Sequence, residues 1–64
     1  MMMLQVKNSW TGELQGSVEW KNNNWYYNNP LNNTVNRIPT LMKSDMMLVK
    51  GWLRKYNLEL VLVD

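Results

Sequence analysis

Residues 40–63 read TLMKSDMMLVKGWLRKYNLELVLV, and they decide the architecture because the hydrophobic period changes within them. From Thr40 to Asn57 the apolar residues recur at helical spacing. Leu41, Met42, Met46, Leu48, Val49, Trp52, Leu53 and Tyr56 fall on one broad face of a helix. Lys43, Met47, Lys50 and Arg54 fall on the opposite face, where Met47 is expected to be exposed. Thr40 offers an N-cap with Ile38 just before it; Ser44 is the alternative cap, with Asp45 then in the first turn. Lys50, Arg54 and Lys55 suit the negative end of such a helix, and Asn57 suits a left-handed residue after it.

From Leu58 onward the period drops to two. Leu58, Leu60 and Leu62 share one face, Val61 and Val63 the other, so 58–63 reads as a strand apolar on both faces. A chain with one helix has nothing of its own to cover the second face. The expectation is a second copy, or a partner, packed through Val61 and Val63.

Working backward, residues 2–7 and 13–20 both alternate and flank the turn Asn8-Ser9-Trp10-Thr11-Gly12, which makes an antiparallel hairpin. Gly16 inside the second run points to a bulge or a close neighbour. Lys21-Asn22-Asn23-Asn24 reads as a four-residue hairpin loop, and Trp25-Tyr26-Tyr27-Asn28 as a third strand. Residues 30–39, rich in Asn, read as a loop. The chain is therefore expected to be one small α+β domain in the order β-β-β-α-β. It comprises a meander over 1–29, a loop over 30–39, a helix over 40–57 and a terminal strand over 58–63. A right-handed crossover would lay that last strand parallel to the first.

Composition narrows the function. Of 64 residues none is Cys or His, which removes disulfides, thiolate chemistry and the imidazole base that Ser9, Ser17 or Ser44 would need. Glu13 and Glu19 share a strand face, but six residues separate them by roughly 20 Å, against about 5–9.5 Å for a glycosidase pair. No P-loop, GxGxxG or EF-hand spacing is present, and no cofactor or metal is implied. No apolar run approaches the roughly 18–20 residues of a membrane span, and the Met1-Met2-Met3-Leu4 start does not resemble a signal peptide. A cytoplasmic, non-enzymatic protein is the expectation.

What remains is a surplus of sticky side chains. Four Trp, three Tyr and six Met accompany a net charge of only +2. Trp20, Trp25, Tyr26 and Tyr27 cluster on one hairpin and, with Val61 and Val63, are the candidate protein-binding residues. The first reading is a small interaction protein that binds and modulates or inhibits another protein, with homodimerisation compatible. Ten Asn and no Ala match AT-rich genes of the kind frequent in bacteriophages and mobile elements. The second reading is a single-stranded nucleic-acid binder. Bases would stack on Trp25 and Tyr27 while Lys43, Lys50 and Arg54 meet phosphates.

Overall fold

The structure, a computed structural model, describes residues 2–61. Five strands form one sheet: β1 (Met2–Asn8), β2 (Leu14–Lys21), β3 (Asn24–Asn29), β4 (Thr34–Ile38) and β5 (Leu58–Leu60). A single helix, α1 (Met46–Arg54), lies between β4 and β5 in the chain. The sheet order is β4-β3-β2-β1-β5, and every neighbouring pair is antiparallel.

Asparagine sets the reversals. Asn22 and Asn23 both have positive φ, so β2 and β3 are joined by a two-residue turn of the kind whose twist suits a hairpin, rather than by four residues. Asn33 is left-handed before β4 and Asn57 before β5. Between β1 and β2 the Asn8 side-chain oxygen accepts from the N–H groups of Trp10 and Thr11, and Gly12 takes the positive φ. The register slips there, Val6 opposing Gly16 while Lys7 opposes Leu14, so Gln15 is the extra residue of a bulge. Gly16 also has a steric reason: a Cβ on it would overlap the Asn28 carbonyl oxygen of β3.

Two expectations about topology are corrected. Residues 34–38 of the expected loop form β4, paired from Trp25↔Ile38 to Asn29↔Thr34. The terminal strand does lie beside β1, but antiparallel to it, from Val6↔Leu60 to Asn8↔Leu58. The second error follows from the first, because one more strand before the crossover reverses the direction in which the chain returns.

The helix is also shorter than its pattern. Neither Thr40 nor Ser44 caps it. Asp45 occupies the N-cap position without a side-chain cap bond, and its carboxylate instead accepts from the N–H groups of Leu41 and Met42, at 2.8 and 2.9 Å. The Trp25 indole donates to the Lys43 carbonyl at 3.0 Å. Residues 40–45 are thereby held in a non-helical turn, because a side chain competes successfully for their backbone groups.

The core lies between α1 and one sheet face. It joins Val6, Val18, Trp25, Tyr27 and Ile38 to Val49 and Leu53 of the helix and Leu58 of β5. Each aliphatic side chain so buried contributes about 1.5–3 kcal/mol. Trp20 meets Trp25 edge-on at 5.7 Å, and Trp52 of the helix bridges Tyr27 and Tyr56 at 5.9 and 4.7 Å. Among the described residues the opposite sheet face carries no helix. It is largely polar: Lys7 pairs with Glu59 across β1 and β5 at 3.5 Å, and Lys21 pairs with Glu19 at 3.1 Å while lying over the Tyr26 ring.

Candidate protein-interaction surface

The aromatic hairpin does not present its rings as a group. Trp25 is fully buried and Tyr27 nearly so. Side-chain alternation along β3 sends both toward the helix and Tyr26 to the open face. Trp25 and Tyr27 are thus part of the core and offer no ring to a protein or to a base. Trp20 is half-buried against Trp25, and Tyr26 is half-buried beneath Lys21. Val61 is half-buried and donates its N–H to the Gln5 carbonyl, and Val63 lies outside the described residues. Of the five candidate protein-binding residues that are described, two are thus interior and three half-buried.

The basic stripe divides as well. Lys43 belongs to the turn before α1. Lys50 and Arg54 remain on the exposed side of the helix, one turn apart. Together with Met47 and Gly51 they form one wall of a groove of about 560 Å³. Leu58 and Leu60 of β5 form the other wall, with Ser9 and Glu59 at the rim. Among the described residues neither Lys50 nor Arg54 has a carboxylate within ion-pairing distance.

Sequence periodicity missed the apolar residues that are actually outside. Helical spacing puts Leu41, Met42, Leu48 and Tyr56 on the core face, yet all four are exposed, Leu41 at 89%. Met47 is 87% exposed, as its place among the lysines indicates. Leu41 and Met42 escape the core because the Asp45 and Trp25 side chains hold their segment out of the helix. The available signal was the acceptor at Asp45, three and four residues after them.

A second, smaller cleft of about 280 Å³ lies where β2, β3 and β4 meet the end of the helix, lined by Tyr27, Trp52 and Tyr56 and by the amides of Gln15, Asn29 and Asn36. Burial raises the Tyr27 phenol above its usual value of 10.0, with the neighbouring Gln15 side chain acting in the opposite sense. Among the described residues no three His, Cys, Asp or Glu gather as a metal site, and no helix is long and apolar enough to cross a membrane.

No protein-family model, curated protein or solved structure matches the chain. The fold defines it as a small α+β protein with a five-stranded antiparallel sheet and one helix.

Proposed function

We propose that the chain is a small interaction protein that binds and modulates another protein through α1 and the turn leading into it. The observation that carries this reading is the concentration of exposed apolar side chains there. Leu41, Met42, Met47 and Leu48 stand outside within eight residues. Large side chains left in water at that density have no role in the fold, and adaptable Met and Leu surfaces suit a protein partner. The proposed site is therefore the helix and not the hairpin, two of whose rings, Trp25 and Tyr27, are interior. A second copy is a competing occupant of the same surface.

Site-specific photo-crosslinking tests the reading. A photoreactive residue at Leu41 or Leu48, with one at Gln5 on the open sheet face as control, is irradiated in lysate of the source cell. The expected result is a discrete heterologous adduct from 41 and 48 and not from 5. Adducts only with itself, or the same pattern from all three positions, would overturn it. Nucleic-acid binding is read in parallel by fluorescence titration with an oligonucleotide at two salt concentrations.

A further inference from the structure

We infer that the groove between α1 and β5 receives an extended acidic peptide segment, which adds to the sheet as a sixth strand. The inference rests on the protein-binding reading above and names the segment of partner that one part of the surface takes.

The strand edge supplies the first argument. Among the described residues β5 is the end of the sheet, paired on one side only, with β1. Ser9 donates to the Asn57 carbonyl and Val61 donates to the Gln5 carbonyl, so residues 57, 59 and 61 turn their backbone groups toward β1. The N–H and C=O groups of Leu58 and Leu60 then face outward, and both residues line the groove. Free donors and acceptors beside a helix wall are what strand addition uses.

Gly51 supplies the second. It sits in the helix interior, where glycine is the least favourable residue after proline. A Cβ at that position would meet nothing within 4 Å, so no packing in the chain requires glycine. Its lack of a side chain keeps the groove wall low.

Charge selects the occupant. Among the described residues Lys50 and Arg54 border the groove without acidic partners, while Glu59 is engaged by Lys7 on the far face. Four helical residues rise about 6 Å. Alternate residues of an extended chain are about 6.6 Å apart. Acidic residues at every second position of a peptide therefore match the Lys50–Arg54 spacing. The two-fold self-pairing that uses the free groups of both Leu58 and Leu60, each opposite the other in the copy, would set Glu59 against its own copy and is disfavoured.

The test uses the full chain, isotope-labelled, and a capped seven-residue peptide of alternating valine and aspartate. A valine/lysine peptide and a thymidine oligonucleotide serve as comparisons. The expected result is saturable change at the Leu58, Leu60 and Gly51 amides with the aspartate peptide. Affinity should fall at least about tenfold in Gly51→Leu and in Lys50→Glu/Arg54→Glu. Gly51→Leu improves helix propensity, so loss of binding there is not loss of fold. Silence of the Leu58 and Leu60 amides, or equal binding by Gly51→Leu or by the lysine peptide, overturns the inference. So does stronger response to the oligonucleotide, or concentration-dependent shifts of those amides without peptide. Crosslinks retained at Leu48 alongside a silent groove refute the peptide site alone; absent crosslinks refute the broader reading.

Discussion

The Trp25 indole Nε1–H donates to the Lys43 carbonyl oxygen at 3.0 Å, tying β3 to the turn that precedes the helix. The ring is fully buried, so its one polar atom needs a partner. The bond takes a carbonyl that a helix begun at Thr40 would use for itself. It thereby links two features, a late helix start and exposed Leu41 and Met42.

Trp25→Phe keeps an aromatic ring but removes the donor and part of the volume. It should cost about 2–4 kcal/mol, combining a lost buried hydrogen bond with a small cavity. Denaturant unfolding measures this. A change under about 0.5 kcal/mol would show that the turn is held by something else.

Several features of the fold were legible because local chemistry and tertiary context agree on them. The Val6, Val18 and Leu58 alternations place real strands, Gly16 marks a real close approach, and Asn57 is left-handed as a helix-ending Asn should be. β4 was not legible. Its sequence Thr34-Val35-Asn36-Arg37-Ile38 buries only Ile38, and an edge strand supported by β3 alone needs little apolar signal. The burial of Trp25 and Tyr27, and the exposure of Leu48 and Tyr56, were not legible for a related reason. Periodicity shows which residues are able to be buried, but of the nine-residue helix only Val49 and Leu53 are buried, with Met46 and Trp52 packed beside them. Leu48 and Tyr56 remain exposed.

Asp45 accounts for the rest of the turn. Its carboxylate accepts from two backbone N–H groups that have no helical partner. Asp45→Ala should destabilise by about 1 kcal/mol, in the range of a lost cap, and speed amide exchange at Leu41 and Met42 selectively. Uniform acceleration across the chain would mean that the residue supports the global fold instead.

The two glycines on regular elements should respond to alanine with opposite signs. Gly16→Ala drives a methyl into the Asn28 carbonyl and against the Tyr27 ring, which costs about 1–3 kcal/mol or forces β2 and β3 apart. Gly51→Ala meets open space in a helix and should gain up to about 1 kcal/mol. For a domain of this size that is a rise in Tm of about 4–8 °C. Thermal unfolding of the two variants side by side decides the matter. Equal shifts would mean that Gly16 is not wedged against β3.

Tyr27 gives the chain an alkaline limit. Its hydroxyl is buried and, among the described residues, has only the Gln15 side chain nearby, outside good hydrogen-bond geometry, and burial raises its pKa above 10.0. The unfolded chain therefore loses this proton at a lower pH than the folded one. Below pH 10 the two states bind it equally and the full stabilisation is present. As pH climbs through 10 toward the raised folded value, the unfolded state is favoured and stability declines. Tyr27→Phe removes the titrating group and an unsatisfied oxygen together. At pH 7 it should leave stability unchanged or improve it, and it should flatten the fall in unfolding free energy above pH 10. Chemical denaturation at a series of pH values reads both effects. A loss of stability at neutral pH would reveal a bond made by the hydroxyl, and an undiminished alkaline slope would assign the limit to another group.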